Sequence, residues 1–213
     1  MKVVKPEVSV TFYIPEDGQT PEQAIEAAGR TCYKSEDRIT EDSAPKFVRM
    51  IRERGHHAML EFGYARARII ADRGLTHELV RHRLCSFAQE STRYCNYGKG
   101  KFGSEITVVE QPGLTEDQQK VWEGAMKRAE AYYMELLGFG VPPQIARSVL
   151  PIGLKSEIVI GANLREWRHI FKMRCDTPAH PIIRGVMLEV LRQFYEKMPS
   201  LYEDQAAEFL SQD

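Results

Sequence analysis

The chain has 213 residues, of which 43% are hydrophobic and 28% are charged, a balance typical of an ordinary globular protein with a full core. Its formal net charge is −1, which argues against a nucleic-acid partner, and no apolar run approaches the ~20 residues that cross a bilayer, so no membrane partner is expected either. The polar start does not resemble a signal peptide, and four cysteines without a CxxC pair predict free thiols in the cytoplasm.

Hydrophobic periodicity and helix-capping residues divide the chain into alternating predicted elements. Apolar residues alternate with polar ones over 7–14, which indicates a strand, and Thr20 followed by Pro21 is a typical helix start. The predicted elements in chain order are strand 7–14, helices 21–33 and 44–54, strand 62–71, helix 75–85, helices 115–137 and 142–149, strand 154–162, and helices 164–174 and 180–197.

Several of these elements carry more specific expectations. Ser43 and Thr76 are candidate N-caps, Thr115 caps the long helix, and the segment 86–104 is predicted to be a long ordered loop, which is usually functional in a compact domain. The long helix is expected to bury one face, formed by Val121, Ala125, Ala129, Tyr132, Tyr133 and Leu136. No repeat or linker interrupts the chain, so we expect a single domain over 1–213 of class α+β, with a largely antiparallel sheet flanked by helices.

The segment 81–93 (RHRLCSFAQESTR) is the strongest candidate for a binding site. Guanidinium groups grip phosphate through paired hydrogen bonds, and backbone N–H groups of a loop can complete a phosphate cradle. If 75–85 is helical, Glu78 and His82 lie on one face of it. The alternative is a solvated basic surface. The cationic and hydroxyl side chains of the segment are Arg81, Arg83, Arg93, Ser86, Ser91 and Thr92.

Two further groups could carry chemistry. His56 and His57 with Glu61 invite a zinc interpretation, but neither HExxH nor a Cys/His spacing is present, so no metal is expected, and packed histidines are an equal alternative. Arg147 lies among apolar neighbours and needs an anionic partner, either a carboxylate or a ligand. Asp176, two residues further along the chain, is the expected structural partner of Arg174. No Walker loop and no GxGxxG after a strand is found.

Arg81-His82-Arg83, seven residues and then Ser91 resemble the RHR-x7-S signature of the flavin-dependent thymidylate synthases. The likeness covers nearly the whole chain, in order and spacing, and continues at Arg93-Tyr94, Glu61 and the His56 region, Arg147, Asn163-Leu164-Arg165 and Arg174.

The resemblance implies a homotetramer whose active sites are shared between subunits. The implied reaction converts dUMP to dTMP, with methylenetetrahydrofolate as one-carbon donor and NADPH as reductant through bound FAD. Residues implied to line the FAD site are Arg81, His82, Arg83, Gln89, Asn163, Leu164, Arg165 and His169, joined by the Ala58 region of a neighbouring subunit. Residues implied to hold dUMP are Glu78, Leu79, Val80, Arg81, Gln89, Glu90, Ser91, Thr92, Arg93, Arg147 and Arg174.

Arg174 is the residue to which the resemblance assigns a catalytic role, against the uracil ring. A guanidinium beside a weakly acidic ring N–H lowers the pKa of that group, and the resulting anion is a better carbon nucleophile. Ser91 is expected to hydrogen-bond dUMP and not to attack it, because no His/Asp pair is placed to deprotonate it.

Three positions depart from the pattern of relatives. Ala58 and His169 replace polar residues, so only backbone or ring contacts to FAD would remain there. Glu78 replaces a glutamine, and since a carboxylate repels phosphate we expect it to face a sugar hydroxyl or to pair with Arg81 or His82.

Two other functions compete with this interpretation. One is an arginine-based nucleotide- or RNA-binding module, against which the net charge of −1 speaks. The other is a flavoprotein that oxidises NADPH without methylating dUMP, against which the presence of Arg93, Arg147 and Arg174 argues.

Overall fold

Helices and strands alternate along the chain in a computed structural model that describes residues 1–14 and 16–212. The α-helices are α1 (Pro21–Thr31), α2 (Ser43–Glu53), α3 (Arg73–Leu79), α4 (Glu116–Gly138), α5 (Pro143–Ala146), α6 (Leu164–Arg174), α7 (Pro181–Lys197) and α8 (Pro199–Phe209). The strands are β1 (Lys2–Val4), β2 (Glu7–Phe12), β3 (Tyr64–Asp72), β4 (Ser86–Gln89), β5 (Thr107–Val109) and β6 (Lys155–Asn163).

The main sheet has four strands in the order β2-β3-β6-β4. At one end of β3 the carbonyl of Gly63 accepts from the N–H of Leu164, and at its other end the N–H of Arg73 donates to the carbonyl of Leu154. Residue numbers therefore increase along β3 while those of the facing residues of β6 decrease, which defines an antiparallel pair. The predicted α+β class with a largely antiparallel sheet is confirmed. A separate parallel pair joins β1 to β5.

The chain divides into two compact units: unit 1 is Met1–Glu7, Ile69–Arg81 and Ala88–Ile158, and unit 2 is Val8–Arg68, His82–Phe87 and Val159–Asp213. Each unit is built from segments far apart in sequence. The single domain expected over 1–213 stays a prediction.

Unit 2 has an aromatic core built from its long helices. Trp167 and Phe171 of α6 pack against Phe194 of α7, with ring centroids 4.8 and 5.2 Å from that of Phe194. Tyr202 of α8 completes the cluster at 5.2 Å from Phe194, and the indole N–H of Trp167 donates to the carbonyl of Ala65. Helical periodicity in the sequence predicts the buried face of α7 correctly. Its apolar residues at that spacing are fully buried: Ile183, Met187, Val190, Leu191 and Phe194.

Unit 1 has a hydrophobic core of its own. It consists of buried residues from several loops and elements: Tyr97, Ile106, Val108, Tyr133, Ala146 and Leu154.

The capping predictions for two helices are confirmed. Thr20 and Thr115 each accept a backbone N–H from the third helical residue, Gln23 and Gln118, whose side chains bond back to the cap. Among the described residues no helix is long and apolar enough to cross a membrane.

The helix predicted over 75–85 is wrong in both bounds. Its cap is Asp72, whose carboxylate accepts from the N–H of Leu75 at 2.8 Å, while Thr76 lies inside the helix and donates to the Arg73 carbonyl. Because α3 ends at Leu79, the segment that follows is not helical, and the expected shared face of Glu78 and His82 does not form.

The long helix α4 buries much less than predicted. Of its expected buried face only Tyr133 is buried, while Val121 is 76% exposed and Tyr132 60% exposed. The segment 86–104 is also not all loop, since it contains β4 and a 3-10 turn over Gly100–Phe102.

Besides β4, three elements were not predicted from the sequence. Strands β1 and β5 have three residues each and pair across a hundred residues of sequence, so local periodicity cannot reveal them. Helix α8 had a usable signal, namely Pro199 at its first position and apolar residues recurring at helical spacing.

Candidate active site

The signature segment is divided between the two units. Arg81 and residues 88–93 belong to unit 1, while His82–Phe87 belongs to unit 2. Two groups of polar side chains result, one in each unit. We call them the His82 cluster (His82, Glu166, His169 and Arg174, unit 2) and the Thr92 cluster (Gln89, Glu90, Thr92, Arg93 and Arg147, unit 1).

Helix α6 supplies three members of the His82 cluster. It begins at Leu164 because the side chain of Asn163 accepts the N–H of Glu166 at 2.8 Å, a standard N-cap. The Nε–H of Arg174 donates to Nε2 of His82 at 3.0 Å. On the other side of the imidazole, Nδ1 lies 3.8 Å from the Glu166 carboxylate. The Asp176 carboxylate accepts from the Thr177 N–H at 2.7 Å, and its predicted pairing with Arg174 stays a prediction.

His82 is buried and uncharged at neutral pH. Burial, then the positive charge of Arg174, then His169 lower the pKa of His82 from 6.5 to about 4. A neutral ring that accepts at Nε2 carries its proton on Nδ1. The cluster therefore presents a guanidinium fixed by a neutral imidazole, and such a guanidinium can stabilise an anion.

Three members of the His82 cluster could also hold a metal ion. One ligand atom from each of His82, Glu166 and His169 lies within 4.8 Å of the others. The Arg174 guanidinium on the same imidazole opposes a second cation there.

Of the residues implied to line the FAD site, Arg81 and Gln89 belong to unit 1 and the others belong to unit 2. The guanidinium of Arg165 pairs with Glu61 at 2.7 Å on an exposed surface, and Ala58 is exposed in the 3-10 segment His57–Phe62. Leu164 is fully buried, so its contribution to a ligand would be limited to its backbone. Arg83 and His169 are exposed.

In the Thr92 cluster, hydrogen bonds to neighbouring residues hold two exposed arginines. Arg147 donates to the Thr92 hydroxyl at 3.2 Å, and Arg93 donates from Nε to the side chain of Gln144 at 3.3 Å. Arg147 was predicted to need an anionic partner because of apolar surroundings. This prediction is wrong, since Arg147 is exposed on a 3-10 turn. Its partner is a buried hydroxyl, and its guanidinium remains accessible.

In the same cluster, Gln89 and Glu90 form hydrogen bonds with partners that the sequence did not suggest. The Gln89 amide donates to the hydroxyls of Thr76 and Ser156 at 2.9 and 3.1 Å. The Glu90 carboxylate accepts from the Tyr97 hydroxyl at 2.8 Å and from Lys155 at 2.7 Å. Only pairing in space reveals these partners, because they lie up to 67 residues away along the chain.

The remaining residues implied to hold dUMP lie on or just after α3. Leu79 is fully buried and packs in the core, Val80 is 42% exposed, and Arg81 is exposed while Glu78 is half-buried. Any contact of Leu79 with a ligand would therefore come from its backbone.

Comparisons with known proteins agree with one another. The family described as Thymidylate synthase complementing protein matches residues 15–200. A flavin-dependent thymidylate synthase of Geobacter sulfurreducens is 32% identical over 191 residues, which covers 86% of this chain and 82% of the relative. One of the same name from Corynebacterium glutamicum is 34% identical over 213 residues, covering 92% and 84%.

A solved structure shares the fold. The UMP/dUMP methylase PolB from Streptomyces cacaoi, bound with 5-Br dUMP, superimposes with a TM-score of 0.77 and 23% identity over 98% of both chains. The family match and these relatives show that the chain belongs to the thymidylate synthase complementing protein family, the family of the flavin-dependent thymidylate synthases.

Proposed function

We propose that the protein methylates dUMP reductively to dTMP, with methylenetetrahydrofolate as one-carbon donor and NADPH as reductant through bound FAD. The observation that carries the proposal is Arg174, whose Nε–H is fixed by a buried, neutral His82. A guanidinium oriented in this way favours the ionised form of a uracil ring, because it lowers the pKa of the ring N–H. Relatives named for this activity support it.

In this proposal the Thr92 cluster binds the phosphate of dUMP. Arg93 and Arg147 are exposed, and Gln144 and Thr92 restrict their motion. Guanidinium groups prepared in this way lose little side-chain entropy when they bind a phosphate. Glu90 then acts as an internal brace, since its carboxylate is already engaged by Tyr97 and Lys155.

The residues around the His82 cluster fit a flavin dinucleotide. The exposed cations Arg83 and Arg165 suit an anionic diphosphate, and an uncharged His82 can lie against a flat apolar ring without the cost of burying a charge. Bound FAD would supply hydride transfer, which no side chain can perform. The chain's own contribution is to orient the ligands and to hold the charge of Arg174 in place.

Assembly and location complete the proposal. We expect a homotetramer with sites shared between subunits, which analytical ultracentrifugation tests directly. Four free cysteines among the described residues are consistent with a reducing cytoplasm.

The test is to purify the protein and assay it with dUMP, methylenetetrahydrofolate and NADPH. A yellow protein that forms dTMP, with NADPH oxidation dependent on dUMP, is the expected result. NADPH oxidation that ignores dUMP would favour the bare flavoprotein oxidase. A colourless protein that takes up no added FAD and binds RNA would favour the arginine-based module and overturn the proposal.

Ser91 gives a sharper test of the dUMP site. Its Oγ accepts from the Arg93 N–H at 3.3 Å, a contact that cannot deprotonate it, so we expect a hydrogen-bonding role. Ser91→Ala should weaken dUMP binding by about tenfold, the equivalent of one hydrogen bond to a charged ligand, and should still form dTMP. Loss of all turnover with normal dUMP affinity would show that Ser91 is a nucleophile.

A further inference from the structure

Glu166 is a buried carboxylate with an unusual position. It is only 7% exposed and lies in the first turn of α6, where the helix dipole favours a negative charge. Its carboxylate faces Nδ1 of His82 at 3.8 Å. Neither the sequence signature nor the proposed reaction assigns it a role, yet burying an anion is costly unless it does something for the fold or the site.

Glu166 and Arg174 face opposite ring nitrogens of His82, and both favour the same tautomer. With Arg174 donating to Nε2, the ring must be protonated on Nδ1, and a carboxylate facing Nδ1 stabilises that form. The other tautomer would set an N–H of His82 against the Nε–H of Arg174, two donors 3.0 Å apart, while its bare Nδ1 faced the Glu166 anion. Both contacts of that tautomer are repulsive.

We propose that Glu166 is a positioning residue that fixes the tautomer of His82 and thereby aims Arg174 at its substrate. The logic is that of a carboxylate–imidazole pair in which the acid orients the ring and never touches the reacting atoms. The part of the inference that concerns Arg174 rests on the proposed function. The part that concerns the tautomer depends only on the geometry of the four side chains.

The described groups that contact the His82 ring fit this role. Arg174, His169 and Glu166 come from α6. Cys85 follows His82 in the chain and donates its N–H to the His82 carbonyl. Burial and then Glu166 raise the pKa of the Cys85 thiol to about 12. The thiol is therefore neutral and does not compete for the proton. At 3.8 Å from Nδ1, Glu166 orients the proton, while burial, Arg174 and His169 keep the imidazole uncharged.

Removing the acceptor in two steps tests the proposal. Glu166→Gln keeps an oxygen without the charge, and Glu166→Met keeps the length without an acceptor. We expect the Nδ1–H population of His82 to fall in the order Glu, Gln, Met. The kcat for dTMP formation should fall in the same order, by about tenfold in Glu166→Met, with less than about a threefold change in KM for dUMP.

The measurement is ¹⁵N NMR of the holoenzyme labelled on histidine, with His82 identified by the signal that His82→Asn removes. The control is Glu26→Gln, because Glu26 is a comparably buried glutamate, 1% exposed, whose carboxylate binds Arg30 and Ser43. The control should leave both the His82 spectrum and the kcat of the folded protein unchanged.

Two results would overturn the proposal: a folded Glu166→Met protein that keeps the Nδ1–H tautomer, or one that loses kcat while the tautomer stays fixed. If the wild-type protein forms no dTMP at all, the proposed function fails, and the NMR arm still decides whether Glu166 sets the tautomer. The two failures are therefore distinguishable.

Discussion

Protonation of His82 at low pH should lower the free energy of unfolding by an amount that follows from its pKa. Its pKa is about 4 in the fold against 6.5 for an ordinary histidine, so the unfolded chain binds the proton more tightly. Stability from the neutral ring is complete above about pH 6.5 and is lost as the pH falls towards 4. The full difference corresponds to about 3 kcal/mol, and about 2 kcal/mol of it is lost by pH 5.

Urea unfolding of wild type and His82→Asn at pH 8 and pH 5, followed by tryptophan fluorescence, measures this loss. Trp167 is fully buried in the same unit as His82, so its emission reports on that unit. Carboxylates titrate equally in both proteins, and the wild type should lose about 2 kcal/mol more than the variant between the two pH values. An equal loss in both proteins would refute the reasoning, because His82 would then titrate normally in the fold.

Further predictions concern packing and thiol chemistry. Gly29→Ala should cost about 1–3 kcal/mol in free energy of unfolding, because its Cβ would lie 2.4 Å from the Phe47 ring. The control Gly124→Ala, which meets no atom within 4 Å in its helix, should gain up to about 1 kcal/mol; equal effects in thermal unfolding would contradict the packing argument. At pH 8, iodoacetamide should label the exposed Cys32 well before Cys85, whose thiol has a pKa of about 12; peptide mass spectrometry that finds Cys85 labelled first would refute this order.

Local sequence signals predicted the elements whose formation depends on neighbouring residues. Thr20 and Thr115 mark helix starts because a cap bonds a backbone N–H three residues on. The apolar stripe of α7 predicted its buried face correctly. On α4 the same type of stripe failed: Val121 is apolar and still 76% exposed, because periodicity cannot tell what, if anything, covers a face.

The site divides in the same way. The sequence by itself predicted the segment Arg81 to Arg93 and Arg174 as site residues, since cations and hydroxyls suit anionic ligands and match a known signature. Only the tertiary structure decided that Arg174 donates to His82 and that Glu166 faces the other side of the ring. Arg174 and His82 lie 92 residues apart along the chain. Burial, which lowers the pKa of His82, exists only once the chain has folded.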